Sequence, residues 1–461
     1  MVKHAVILIP EGRGRPPDFF LAPVAGLPLL YRQIYSLWRA GVAKVTVLAC
    51  PAAGPGLLKG LARLAPRDTV AVASDWETIW QETPQDEDSP RLMLLAEVFP
   101  LPRVFKEFVR LPLAPHTVAL AIIQPAAAPR LPEGPVQPVY QASVEDSVVR
   151  SLTLSLSWEK PWAAGLALFS PEAWQGFQDW EKADRQRRGT SLASPENLLF
   201  GFLFQKVAEE KVIAVCHSGT EIMLIRQERD FTPAGAWLVA ATEGSPWGEG
   251  FLEKTANRYL AHKILPHLLT FPLTPNQITG LDLLVGLGAV ALFSQGTYWA
   301  NVTAAWLLLL VMLLDTLDGL VARLTFRESP LGAKLDLYGD TVLNFLVFAG
   351  IALGQYRSSG HHIFLWTLIP LTLGYWGCWK ALNPLRAVDA EPRPLRPAVP
   401  LKAPASGLKD KLRSEATSRD FFYLIWLCAL LDLLSALIVA VALGVLFFAL
   451  LLHLGPGKGR V

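Results

Sequence analysis

The chain has 461 residues, 52% of them hydrophobic and only 18% charged, against about 25% charged in an ordinary soluble protein, so part of it is built to sit in lipid. A formal net charge of +2 excludes the strong basic excess of a phosphate-tracking surface, and with it a nucleic-acid partner. Cys50, Cys216, Cys378 and Cys428 lie far apart with no C-x-x-C pair, which argues against a zinc site or a disulfide framework and fits a reducing, cytosolic setting for the soluble part.

Residues 1–245 alternate short β-type runs with amphipathic segments, the pattern of an α/β layer fold. His4 to Ile9 reads as a buried first strand, because Pro10-Glu11-Gly12 ends the apolar run too early for a signal peptide. A helix over Leu29 to Ala40 and a strand over Val45 to Ala49 follow. Further strands are expected at Arg91 to Leu95, Thr117 to Ile123 and Ala164 to Phe169, with helices over Pro171 to Trp180 and Pro195 to Glu210.

Residues 250–270 place Leu252, Ala256, Tyr259, Leu260, Ile264 and Leu268 on one helical face, with Lys254, Asn257, Arg258 and Lys263 elsewhere. That is an interfacial amphipathic helix on the bilayer, or a soluble linker helix. Residues 275–455 then hold six candidate spans, at 277–294, 301–323, 334–355, 362–382, 420–435 and 436–454, each near the roughly 17 to 25 residues that a crossing needs. Arg323, Arg327 and Lys334 follow the second span. Arg386, Arg393, Arg396, Lys402, Lys409, Lys411 and Arg413 follow the fourth, and Lys458 and Arg460 the sixth, whereas Arg357 alone follows the third. The positive-inside rule puts both termini and the basic loops in the cytosol, so the chain is expected to be an integral protein of the cytoplasmic membrane. The Pro-rich stretch from Pro384 to Pro404 is expected to be a non-helical cytosolic loop.

The second span ends in Asp315-Thr-Leu-Asp318-Gly319-Leu-Val-Ala322-Arg323, and the third opens with Gly332-Ala-Lys-Leu-Asp336-Leu-Tyr-Gly-Asp340. Spacings of three and four put each aspartate pair on one face of its helix, and antiparallel packing across the short basic turn would let the faces meet. Four ionised carboxylates at a membrane boundary repel one another and resist desolvation, so they call for divalent cations. All-oxygen ligands point to Mg²⁺, Mn²⁺ or Ca²⁺ rather than zinc. Two such ions about 3.5 to 4 Å apart clamp a diphosphate for in-line displacement. Gly319 and Ala322 either let a nucleotide lie against the backbone or serve helix packing. Arg323 either neutralises a phosphate or anchors the helix end at the cytosolic surface.

This arrangement resembles the signature of the CDP-alcohol phosphotransferase family, D-x2-D-G-x2-A-R-x8-G-x3-D-x3-D, with every fixed position filled. The resemblance runs over residues 250–454, through Thr274-Pro275-Asn276-Gln277-Ile278-Thr279 and the six-span plan. It implies attack of an alcohol or polyol phosphate acceptor on the β-phosphorus of a CDP-alcohol donor, with release of CMP and two bound ions, Mg²⁺ or Mn²⁺. It further implies Asp315, Asp318 and Asp336 as metal ligands and Asp340 as ligand or as the base that takes the acceptor proton. Gly319, Ala322 and Gly332 would line the cytidine pocket, with Arg323 at the phosphates, and Lys334, Lys380 and Arg419 would meet the acceptor. Asp282 and Asp432 are acidic residues in or near spans with no role assigned. A transporter is the competing class, but its site would sit in mid-membrane between repeat halves rather than at one cytosolic end.

The soluble domain resembles the Rossmann-like sugar-phosphate nucleotidyltransferases through His4 to Ile9, the loop Glu11-Gly12-Arg13-Gly14-Arg15, Val24 to Leu30, and Ala163 to Pro171. A fused cytidylyltransferase of this kind would make CDP-inositol for the membrane domain to use. The lysine expected before the V-x-G-x-P-L segment is replaced by apolar residues such as Phe19, and Ala96-Glu97-Val98 stands where a metal-binding aspartate would follow the strand. A degenerate domain with a binding or docking role is therefore expected, the alternative being a bifunctional enzyme. The donor is either CDP-inositol-like or a CDP-diacylglycerol or archaeal ether analogue, and small-residue helix faces permit a homodimer.

Overall fold

The computed structural model describes residues 2–10, 18–49, 69–73, 75–82, 88–124, 139–157, 160–188, 194–242, 253–271, 273–389 and 421–454. The chain divides into two compact units, Met1–Ala241 and Thr242–Val461.

The first unit is built on a nine-stranded mixed sheet. Its strands are β1 His4–Leu8, β2 Lys44–Leu48, β3 Val70–Ala73, β4 Arg91–Leu95, β5 Val118–Gln124, β6 Val139–Glu145, β7 Val148–Ser155, β8 Trp162–Phe169 and β9 Val212–Ser218. They lie in the order β3-β2-β1-β4-β8-β5-β9-β7-β6. Strands β1, β4 and β8 are buried at every position, as strands covered on both faces must be. The block β3-β2-β1-β4 is parallel, and β8 enters antiparallel between β4 and β5. Gly165 marks a register shift within β8 at φ +77, and a Cβ there would lie 2.6 Å from Leu95 Cδ1, so only glycine lets the bulged backbone approach β4.

Helices α1 Leu29–Ala40, α2 Trp76–Glu82, α3 Pro102–Arg110, α4 Pro171–Arg188, α5 Pro195–Ala208 and α6 Phe231–Thr242 belong to this unit. The expected α/β class and α1 agree with the structure. The hairpin β6–β7 escapes sequence reading because its turn uses Asp146 and Ser147 at positive φ in place of the usual Asn-Gly signal. Helix α4 outruns the expected Trp180 because its second half is charged and held by ion pairs such as Arg188–Asp184 at 3.0 Å rather than by an apolar stripe.

The second unit is helical. After a π-turn at Glu253–Asn257 come α7 Arg258–Leu268, α8 Pro275–Phe293, α9 Tyr298–Leu324, α10 Pro330–Ser359, α11 Ile363–Trp366, α12 Leu368–Asp389, α13 Phe421–Leu430 and α14 Leu434–Leu454. Thr274 and Gln277 form a capping box around Pro275 at the start of α8, with Thr274 N–H donating to Gln277 Oε1 at 2.9 Å. Ser329 caps α10 in the same role, accepting from Gly332 N–H at 2.9 Å.

Among the described residues, two helices, α8 and α9, are long and apolar enough to cross a membrane. The candidate span 420–435 is a helix of only 10 residues, ended by a turn in which Asp432 takes φ +56. Contrary to the expectation of a loop from Pro384, α12 continues through Pro384 to Asp389, forgoing one ladder hydrogen bond there. Residues 390–404 lie outside the described residues.

The segment before α8 is tied to α9 through Asn257. Asn257 is buried, not polar-facing. It donates to Thr316 Oγ1 at 2.6 Å and to the Met312 carbonyl at 3.2 Å, with Ala261 and Leu265 continuing the same face. Tyr259, Leu260 and Ile264 point outward. Exposed large apolar side chains are concentrated in this unit. Among the described residues the first unit shows only Leu154, Leu156 and Phe204, whereas the second shows them on every helix, Leu284 at 69% and Trp299 at 75% among them.

Small residues set the helix packing. Helices α8 and α10 run parallel in close contact, as the neighbours Asn276 and Gly332, Leu283 and Gly339, and Val290 and Gly350 show. At the far end a Cβ on Gly354 would lie 2.0 Å from the Phe293 carbonyl oxygen, so backbone meets backbone there. Gly354→Val is therefore expected to disrupt the bundle, by more than the roughly 1 to 3 kcal/mol of ordinary overpacking, whereas Gly444→Ala, with nothing within 4 Å, should leave the melting temperature in detergent unchanged or slightly raised.

Candidate functional site

Three helices converge on the signature residues. Helix α9 returns antiparallel along α8, with Thr279 facing Asp318 at one end and Gly288 facing Leu307 further along. Helix α10 lies parallel to α8. Helix α8 is therefore the common partner of the two aspartate-bearing helices, and it fixes their relative register.

Thr279 Oγ1 donates to Asp318 Oδ2 at 2.6 Å, and both residues are buried. Three residues before Thr279, Asn276 approaches Gly332, and four residues after it Leu283 approaches Gly339. Backbone position 335, next to Asp336, thus stands level with Thr279 and Asp318. One turn further along stand Asp282 on α8 and Asp315 on α9, each about 4.5 Å from the first level, and Asp340 on α10, about 6 Å from position 336, at ~1.5 Å of rise per residue. Asp318 and Asp282 are 7% and 3% exposed, while Asp315 and Asp340 are half-buried.

Oxygen donors of this kind suit a hard divalent cation. Among the described residues no three His, Cys, Asp or Glu side chains converge closely enough to hold one. The side chains of Asp336 and Lys334 lie outside the described residues.

The remaining site expectations separate. Gly319, Ala322 and Arg323 follow Asp318 on α9 and are half-buried. The Arg323 guanidinium folds back along the helix, so that a Cβ on Gly319 would stand 3.3 Å from its Nη1. Gly332 permits the approach of Asn276 and the Ser329 cap, since a Cβ there would lie 2.9 Å from Ser329 Oγ. Lys380 is exposed, its Nζ 3.8 Å over the Trp376 ring, a cation–π pair on one face of α12. Arg419 lies outside the described residues. Asp432 belongs to the far end of the bundle, where the neighbouring Leu430 carbonyl accepts from Tyr298 Oη at 3.1 Å. Sequence reading named Asp282 and Thr279 but gave neither a role, Thr279 lying outside the signature spacing; the signal available was its position five residues beyond the cap at Thr274.

In the first unit the loop of Gly12 and Gly14 lies outside the described residues. Glu97, the residue at the strand end, is fully buried, and Arg226 Nε donates to its Oε1 at 2.8 Å. The Glu97 carbonyl accepts from Ile225 N–H at 2.8 Å. Gln33 Nε2 spans the Ala96 and Val98 carbonyls at 3.0 and 2.6 Å. The carboxylate that could have met a metal is thus engaged by an arginine 129 residues away in sequence, a partner that no local pattern reveals.

Residues 272–382, which include the paired aspartates of these consecutive helices, match the CDP-alcohol phosphatidyltransferase family. The second unit therefore carries a CDP-alcohol phosphatidyltransferase domain. Two curated relatives are each named bifunctional IPC transferase and DIPP synthase. The one from Aquifex aeolicus is 33% identical over 106 residues, 23% of this chain and 24% of its own. That from Archaeoglobus fulgidus is 31% identical over 118 residues, 26% and 23% respectively. The chain thus matches about a quarter of the length of these relatives. Among solved structures, the inositol-1-phosphate CTP transferase from T. maritima aligns at a TM-score of 0.38 and 12% identity, over 51% of this chain and 96% of its own. A CMP:2-keto-3-deoxy-manno-octonic acid synthetase complexed with CTP aligns at 0.35 and 12%, over 51% and 98%.

Removing one member of a buried ion pair costs about 3 to 5 kcal/mol because the other charge is left uncompensated. Arg226→Met is accordingly expected to lower the thermal midpoint of the full chain's first transition by several degrees. The double variant Glu97→Gln/Arg226→Met should recover at least half of that loss.

Proposed function

We propose that the second unit is a membrane transferase that moves a phospho-alcohol group from a CDP-alcohol to a hydroxyl acceptor and releases CMP. The observation that carries this reading is the register of the signature positions across α8, α9 and α10, within the segment that matches the family.

Asp315, Asp318, Asp336 and Asp340 would hold two divalent cations, Mg²⁺ or Mn²⁺. When bound, such cations neutralise the pyrophosphate charge and stabilise the leaving CMP. Asp340, half-buried one turn beyond Asp336, is positioned on α10 to accept the proton of the acceptor hydroxyl. That oxygen then bonds to the β-phosphorus as the bond to the CMP oxygen breaks, and the aspartate keeps the proton until solvent removes it. Arg323 supplies positive charge beside Gly319, where the donor phosphates would lie. Lys334, Lys380 and Arg419 remain the acceptor candidates.

Large apolar side chains exposed on every helix of this unit support a bilayer setting, since monomeric soluble proteins rarely expose extensive contiguous apolar patches. Trp299 and Asp315 are separated by about 24 Å along α9, at ~1.5 Å per residue. An aromatic girdle at one interface and the carboxylates near the other therefore fit a hydrocarbon core of about 30 Å. We read six membrane-embedded helices, the outward face of α7 resting on the interface, and termini and site facing the cytosol. Either Asp336→Asn or Asp340→Asn should lower CMP release from a CDP-alcohol at least 10³-fold while elution volume and melting temperature stay near wild type. Unchanged turnover in both would place the chemistry elsewhere.

A second reading is favoured by the relatives' names and by the α/β sheet of the first unit: the chain also makes its own CDP-alcohol. Arg226 on Glu97 weighs against it. With CTP, Mg²⁺ and inositol 1-phosphate, the purified protein is expected to release no pyrophosphate above background. Pyrophosphate that persists in Asp340→Asn would establish the bifunctional enzyme instead.

A further inference from the structure

We propose that Thr279 is a positioning residue that fixes the carboxylate of Asp318 for cation binding; the proposal rests on the metal-dependent reading of the site.

Serine and threonine in apolar helices ordinarily donate their hydroxyl proton to the carbonyl four residues back. Thr303, Thr316, Thr325 and Thr372 do so in this unit, at 2.8, 3.0, 2.7 and 2.7 Å. Thr279 lies 3.1 Å from the Pro275 carbonyl but 2.6 Å from Asp318 Oδ2. A hydroxyl has one proton to give, and the shorter contact to a carboxylate is the charge-assisted one. The proton of Thr279 is therefore directed across the helix interface.

Both side chains are buried, at 8% and 7% exposure, so water does not compete for the bond. Thr279 is β-branched, and its χ1 is stiff within a helix. One oxygen of Asp318 is thus tied to a donor of restricted rotamer on α8, which limits the rotation of the carboxylate plane. The same bond sets the axial register of α9 against α8, and through α8 against the α10 positions 336 and 340. Partners of this kind, which orient a metal ligand without touching the metal, are typically worth 10- to 100-fold in metal affinity.

The test measures Mn²⁺ binding to the full chain in detergent by electron paramagnetic resonance of the free ion, without nucleotide. Thr279→Val keeps the shape and removes the hydroxyl. It should raise the apparent Kd for Mn²⁺ by about 10- to 100-fold, with the metal concentration for half-maximal CMP release rising by the same factor. Thr279→Ser should return both values to within about threefold of wild type. Should the valine variant not fold, Thr279→Ala, which adds no bulk, carries the same expectation. Asp318→Asn is the control for the site itself. Loss of Mn²⁺ binding in Asp318→Asn together with wild-type affinity in Thr279→Val would overturn the positioning role while leaving the metal site standing. Wild-type affinity in Asp318→Asn, or no binding by the native protein, would overturn the metal reading and this proposal with it. A lowered melting temperature in Thr279→Val with unchanged Mn²⁺ affinity would make the bond merely structural, and that too would overturn it.

Discussion

The second unit is organised around a carboxylate where apolar helices tolerate one least. Asp318 is buried between α8 and α9 and reached by the Thr279 hydroxyl. An ionised group in such surroundings must be hydrogen-bonded and neutralised, or the helices would separate or the proton would return. Close packing at Gly286 and Gly354 holds α10 against α8 and brings two further signature positions into register with the first pair. Packing at the far end of the bundle and the placement of the signature residues at the near end are therefore one constraint: helices that could slide would lose the alignment of carboxylates supplied by different segments of the chain.

The first unit shows the opposite use of a buried acid. At the end of β4, Glu97 is closed by Arg226 and by backbone bonds on both sides. A charge neutralised permanently by a guanidinium rigidifies a loop, but it does not present an open face to a cation. The two units thus treat buried acids differently. One satisfies Glu97 internally, and in the other we propose that aspartates from two helices are completed by an external cation. This contrast supports the proposal that the chemistry lies in the second unit.

Much of this was legible in the sequence. The apolar runs of β1 and β4, the stripe of α1 and the spacing of Asp315, Asp318, Asp336 and Asp340 are local patterns, and local patterns determine which residues share a face. What escaped was non-local. The bond from Thr279 joins residues 39 apart, Arg226 reaches Glu97 across 129, and Asn257 turns inward because Thr316 offers a partner. The helical course of α12 through Pro384 contradicts a local rule, and the Asp146-Ser147 turn of the β6–β7 hairpin carries no strong local signal. Periodicity marked α8, α9 and α10 but could not say that α8 is the helix on which the other two align.

Paired cations gathered between α8, α9 and α10 are the centre of the proposed reaction. Anomalous diffraction from crystals grown with Mn²⁺ and a CDP-alcohol reads this most directly. It should give two peaks about 3.5 to 4 Å apart, bracketed by the carboxylates of Asp315, Asp318, Asp336 and Asp340. Density for the nucleotide without a peak among these residues, or peaks held by other side chains, would contradict it.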